Sequence, residues 1–208
     1  MRKLLFISVF VFLLLFSACT YEGIRSSTET KTMQTLSLLQ ALELAYSDAL
    51  SWNNDAQLMN AKSVQNGNDK MDGKSRGWDV FFGLPGSYEA FWVSIRDGEI
   101  ENHADISDEG AMPQFASYYI DDLSKIKFDS PELLKEAIKT DKLYSGDDKE
   151  KGYTYKVSKN GEENVILFQI IGWDERERKM KTLQFDASTG EPYKSIKSDK
   201  TIETEYSE

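Results

Sequence analysis

The chain has 208 residues, with 25 Lys and Arg against 35 Asp and Glu, a formal net charge of −10, one histidine and one cysteine. That balance argues against a nucleic-acid partner, whose phosphates need a basic face, and against a surface that adheres to anionic lipid; its ordinary role is to keep the protein soluble. One histidine excludes two-histidine zinc sites and HExxH helices in their common forms, and one cysteine excludes an internal disulfide, a redox pair or a zinc-cysteine cluster.

The N-terminus has three zones. Arg2 and Lys3 carry positive charge, Leu4 to Phe16 are apolar except for Ser8, and Ser17, Ala18 and Cys19 are small. This is the pattern of a cleavable export signal over residues 1–18. The apolar run is shorter than the ~20 residues a helix needs to span a bilayer. Phe16-Ser17-Ala18-Cys19 resembles the lipobox of bacterial lipoproteins, with Phe16 where that family usually carries Leu, Val or Ile. The resemblance implies cleavage between Ala18 and Cys19 and a diacylglyceryl thioether on Cys19. It places the protein at the cell membrane, on the extracytoplasmic face, and in a two-membrane cell Thr20, rather than Asp, would send it to the outer membrane. The lysine-rich, arginine-poor composition points to a single-membrane cell. A lone thiol in an exported protein is a reactive liability that such lipidation removes. Loss of Arg2 and Lys3 with the leader takes the formal charge from −10 to −12.

Residues 19–34 then read as the lipidated cysteine and a flexible polar tether, rich in Ser and Thr. Over 35–51, Leu38, Leu42, Ala45 and Ala49 repeat at spacings of four, three and four, widened by Leu39, Tyr46 and Leu50, which predicts an amphipathic helix. Asn53-Asn54-Asp55 ends it. A weak strand follows at 57–65, a loop at 66–75, and two stronger strands at 76–83 and 88–96 around Gly83-Leu84-Pro85-Gly86. Asp97-Gly98 is a hairpin turn leading into a short strand at 99–103.

After an acidic connector at 104–129 the order recurs. Ser130 is placed to cap a helix with Pro131 at its first position, Glu132 near its positive end, and Leu133, Leu134, Ala137 and Ile138 as its buried stripe. Strands are predicted around Tyr153–Val157, over 163–173 and 179–186, and around 191–197, joined by Asn160-Gly161, a charged turn at 174–178 and Thr189-Gly190. A charged tail, 198–208, closes the chain. The expected fold class is α+β, two tandem repeats (35–103 and 130–197), each of one helix packed on a small antiparallel sheet.

Asp186-Ala187-Ser188-Thr189-Gly190-Glu191, between two strands, resembles the closing turn of a PepSY-type repeat, a family in which one helix packs on a small antiparallel sheet, and the related cystatin-like fold shares that plan. The likeness covers 130–197 through the motif and 35–103 through the order of elements, with Asp97-Gly98-Glu99 at the corresponding turn. It implies binding or restraint of exported enzymes, often proteases, and transfers no catalytic residue. Asp186, Thr189, Gly190 and Glu191 also suit a generic tight turn, in which Gly190 supplies positive φ and Asp186 bonds the turn amides.

The remaining search for chemistry is spare. Asn68 to Gly73 superficially resembles a calcium loop, but it puts Lys70 at the third ligand position and Asp79, rather than a bidentate Glu, at the last. Gly83-Leu84-Pro85-Gly86 sits between strands and cannot cradle phosphate as a strand-to-helix loop does. His103 reads as a surface residue, and no pair among the acids is singled out as catalytic. No metal, cofactor or catalytic residue is expected. Trp78, Phe81, Phe82, Tyr88, Phe91 and Trp92 crowd two adjacent strands; alternation sends about half to each face. Trp78, Phe82, Tyr88 and Trp92 are therefore the candidate platform, with core packing as the competing role. The expected function is a noncatalytic envelope lipoprotein that binds or modulates an extracytoplasmic protein or peptide. The alternative is a receptor with a small-ligand cleft between its halves.

Overall fold

Leu38, Ala41, Leu42, Ala45 and Ala49 lie on one side of a helix when wound at 3.6 residues per turn, and all five are buried in helix α1, Leu38–Trp52. Ser37 caps it: its hydroxyl accepts from Gln40 N at 3.5 Å, and the Gln40 side chain accepts from Ser37 N at 3.1 Å. The computed structural model describes residues 33–64, 72–107, 115–141, 143–145 and 152–194. The leader, Cys19, the tether up to 32 and the charged tail lie outside them. All described residues belong to one compact unit, Thr32–Glu208.

The second helix, α2, covers Ser130–Asp141. Its cap differs from the expected one. Asp129 holds the capping position, with its carbonyl accepting from Leu133 N and its own N–H donating to the Glu132 carboxylate at 3.1 Å, and Ser130 is the first helical residue. The Ser130 hydroxyl is turned outward from its own helix and accepts from Leu38 N of α1 at 2.9 Å. Asp129 Oδ1 accepts from both Ser130 N (2.7 Å) and Leu39 N (3.0 Å). The two helices thus meet N-terminus to N-terminus, where both positive dipole ends share one carboxylate. Leu133, Leu134 and Ala137 are buried, while Ile138, expected in the same stripe, is 38% exposed.

Strands β1 (Gln57–Val64), β2 (Gly77–Gly83), β3 (Ala90–Arg96) and β4 (Glu99–Asp105) form an antiparallel meander, as do β5 (Thr154–Asn160), β6 (Val165–Asp174) and β7 (Lys179–Asp186). The expected pair of small sheets is instead one seven-stranded sheet in the order β4-β3-β2-β1-β5-β6-β7. The joint is made by β1 and β5, antiparallel, through Asn60–Ser158, Ala61–Val157 and Lys62–Lys156. Joining the inner edges satisfies backbone groups that two separate sheets would leave open, and merges two half-sized cores into one. Of the last strand expected around 191–197, the described part (191–194) makes a single bridge, Phe185–Pro192.

The main core lies on the helix side, and Ala90, Leu167 and Tyr119 are buried outside it. Trp78, Val80 and Phe82 of β2 oppose Ile95, Val93 and Phe91 of β3, and Val157, Phe168 and Phe185 continue the layer across the second half. The Trp78 indole N–H reaches Leu36 O at 3.0 Å, which ties the segment before α1 to the sheet. The connector is pinned as well: Ile120 and Leu58 exchange backbone bonds, and Tyr119, Ile120 and Ile126 are buried.

Candidate interaction surface

With both helices on one side, the other face of the sheet carries the alternate residues of every strand. Its middle row runs Asn102, Ser94, Asp79, Lys62, Lys156, Gln169 and Gln184 from β4 to β7; the adjoining row contains Trp92, Phe81, Asn60, Ser158 and Leu167. Neither α1 nor α2 lies against this face, and none of these residues belongs to the main core cluster. Ser94 and Leu167 are nevertheless buried, and a short 3-10 turn, Ala116–Tyr118, contacts β5. Phe81 and Trp92 are directly opposed across β2 and β3, both half-buried. Arg96, one row along, holds Asp79 at 3.0 Å and lies 4.0 Å from Glu101.

The candidate platform is therefore divided. Trp78 and Phe82 are fully buried under α1 and contribute packing. Phe82 lies 6.0 Å from the Tyr46 ring, and Trp78 stacks near Tyr155 at 6.2 Å. Tyr88, 58% exposed, stands in the loop between β2 and β3. Trp92 alone of the four is on the open face, and its neighbour there is Phe81. The reason is register: the β2–β3 pairing sets Phe81 against Trp92 and Phe82 against Phe91, so even positions of β2 share a face with odd positions of β3.

The rims of the sheet are less suited to docking. On β4, Glu99, Glu101 and Asp105 are exposed carboxylates, and a register shift leaves Glu101 without an opposing residue. Charge and a bulge both discourage addition of a further strand. On β7, Tyr193 N bonds Gln184 O at 2.8 Å, which covers part of that edge. Two shallow hollows, of about 270 and 390 Å³, lie at the rims: one between β7 and Pro192–Lys194, the other between α1 and Gly98. Neither is at the joint of the halves, where β1 and β5 pair with each other.

A polar cluster that spacing did not reveal joins the end of α1 to β4. His103 Nδ1 is 2.6 Å from Asp48 Oδ2, and its ring lies 5.7 Å from Phe91. Trp52 stacks on Phe91 at 5.2 Å and 10°, and its indole N–H donates to Asp105 Oδ2 at 3.0 Å. The Ser107 hydroxyl and N–H, with the Trp52 N–H, hold the Asp105 carboxyl below the usual range. Asp48 and His103 are 55 residues apart in sequence, so no local pattern could announce them. The arrangement clasps an edge strand to a helix.

At the other sequence motif, Asp186 Oδ1 accepts from the Ser188 N–H (2.7 Å) and hydroxyl (2.6 Å), Gly190 N donates to Asp186 O (2.8 Å), and Glu191 N donates to Thr189 Oγ1 (3.3 Å). Gly190 has φ +77° and lies so close to Phe128 that a Cβ there would meet its ring at 2.8 Å. Asn68 and Lys70 of the calcium-like stretch lie outside the described residues; Asp79, its last position, is paired with Arg96. No group of three or more His, Cys, Asp or Glu able to hold a metal occurs among the described residues, and no described helix is long and apolar enough to cross a membrane.

The chain matches no protein-family model and no curated protein. Among solved structures it is similar to CD1622 of Clostridium difficile 630, provisionally classed as a lipoprotein, at 12% identity and a TM-score of 0.43 over 72% of this chain and 90% of that one. A score at that level does not establish a common fold.

Proposed function

We propose that this chain is a noncatalytic lipoprotein, held by the lipid on Cys19 at the extracytoplasmic face of a bacterial membrane, and that it binds an envelope protein through the open face of its sheet. The observation that carries the binding part is the half-buried Phe81–Trp92 pair on the face that neither α1 nor α2 covers. Aromatic side chains with both apolar area and little rotamer entropy are the commonest anchors of protein interfaces. The anchoring part is supported by the sequence features of the leader and by Cys19. The PepSY-like reading of the two halves is supported by the strand order, which runs outward from the joint in the same sequence on both sides, first strand against first strand.

Two measurements test these parts separately. Cys19→Ser should leave the fold intact and move the protein from the membrane to the soluble fraction; full retention at the membrane would overturn the anchoring. For binding, a photoreactive residue at Ser158, beside Lys156 and the aromatic row, is expected to trap a protein in the producing cells. Trp92→Ala should abolish that adduct. If no protein is trapped, or if the adduct survives Trp92→Ala unchanged, the open face is not the binding surface.

A further inference from the structure

Lys62 and Lys156 are directly opposed across the joint of the two halves, at the centre of the open face. Cβ atoms of such a pair lie about 5 Å apart, and like charges there weaken the pairing. The joint itself is short: three residue pairs, beside which Tyr155 N bonds the Ser63 hydroxyl at 2.8 Å. A repulsive pair thus sits in the narrowest connection of the sheet. Some lysines of this acidic chain find carboxylates: Lys125 bonds Asp121, Lys179 bonds Glu177, and Lys181 approaches Asp141 and Asp174. The nearest acid in the row, Asp79, opposite Lys62, is taken by Arg96 at 3.0 Å.

We propose that the Lys62–Lys156 pair receives the carboxylates of an acidic polypeptide segment lying extended across the open face, with Phe81 and Trp92 taking its apolar side chains. The proposal rests on the reading of that face as the binding surface and specifies its partner. Charge complementarity selects the acid. Geometry selects a polypeptide: successive rows of the sheet are about 7 Å apart, the spacing of side chains at i and i+2 on an extended chain, so one segment can present a carboxylate to the lysine row and an apolar group to the aromatic row. A second copy stacked face to face over the joint would bring two lysine pairs together, which disfavours self-association there. A simple polyanion would leave the aromatic pair unused.

The test uses the full mature protein and a labelled synthetic peptide alternating Glu with Tyr and Ile, beside the same peptide with Gln for Glu, measured by fluorescence anisotropy. The Glu peptide should bind, steeply less so as salt rises; the Gln peptide and the Lys62→Glu/Lys156→Glu protein should each show affinity lower by about tenfold or more. Lys156→Glu alone replaces repulsion by attraction across the joint, so it should raise Tm by about 1–2 °C while weakening binding, a combination that a purely structural lysine would not give. Equal binding of both peptides, lost in Trp92→Ala, would keep the open face as the binding surface and overturn its acidic partner. Tighter binding of polyphosphate or of phosphatidylglycerol vesicles than of the Glu peptide would overturn the polypeptide. Binding of neither peptide at millimolar concentration would overturn the proposal as a whole.

Discussion

The two faces of this sheet are built from alternate residues of the same strands and obey different rules. On the helix side Trp78, Val80, Phe82, Val93, Ile95, Val157, Phe168 and Ile170 are fully buried, and what matters is volume. On the other side Asp79, Phe81, Trp92, Lys156 and Gln169 are half-buried, and what matters is chemistry. The contrast shows why aromatic content alone says little about binding: Phe82 and Phe81 are consecutive in the chain, yet one fills the core and the other faces away from it. The largest expected effect comes from testing that contrast directly. Phe168→Ala removes a fully buried ring and should cost about 3–5 kcal/mol of unfolding free energy. Trp92→Ala, on a partly exposed side chain, should cost about 1–2 kcal/mol. Urea unfolding of both measures the difference. Equal losses would mean that the open face is packed as tightly as the core, and the distinction between the faces would fail.

A smaller effect is expected where the helix side depends on polar contacts. Asp129 Oδ1 accepts N–H groups from both helices, so a single carboxylate offsets two positive helix ends that packing has brought together. Asp129→Ala should cost about 2 kcal/mol, more than an ordinary single cap. Loss of only a few tenths, in the same urea experiment, would show that the junction is held by apolar packing alone and that the helix side has no polar keystone.

Much of this architecture was legible in sequence, for reasons that can be traced. The stripe of Leu38, Ala45 and Ala49 specified α1 because helical spacing leaves a strong periodic signal, and the alternation in β2 and β3 was clear because both strands are rich in aromatic and branched residues. The joint of the halves was not legible. β1, Gln-Leu-Met-Asn-Ala-Lys-Ser-Val, carries few β-formers, and its partner β5 lies far along the chain; Ser63 and Tyr155, bonded beside the joint, are 92 residues apart. Alternation says that two faces exist but not which parity points to the helix. That choice follows from register through the 84–89 loop; without it Trp78 and Phe82 read as platform beside Trp92, and Phe81 does not. The cap of α2 lies one position before the serine the sequence favours, because Asp129 and Ser130 are both competent caps. The choice was settled by α1, whose own N-terminus takes the serine.

The smallest effect lies at the margin of the helix face, where α1 meets the edge strand β4. Asp105 is held below the usual carboxylate range by the Ser107 hydroxyl, then the Ser107 N–H, then the Trp52 indole. A carboxyl whose folded value is depressed contributes stability above its unfolded value, ~3.9, and that contribution is lost as the pH falls through the folded value. Asp105 is exposed, so solvent screens the interaction and the clasp adds little to global stability. Its effect should instead be local. The Trp52 indole N–H resonance should titrate with a midpoint below ~3.9 and should lose that titration in Asp105→Asn. The stacking of Trp52 on Phe91 at 5.2 Å keeps the ring in place when the hydrogen bond goes, so protonation should loosen the Asp105 end of β4 from the helix, with His103 still beside Asp48, without opening the core beneath it. A midpoint at or above the ordinary carboxylate value would mean that Trp52 and Ser107 do not hold the anion, and that β4 is held by its ladder with β3 and by the His103–Asp48 contact.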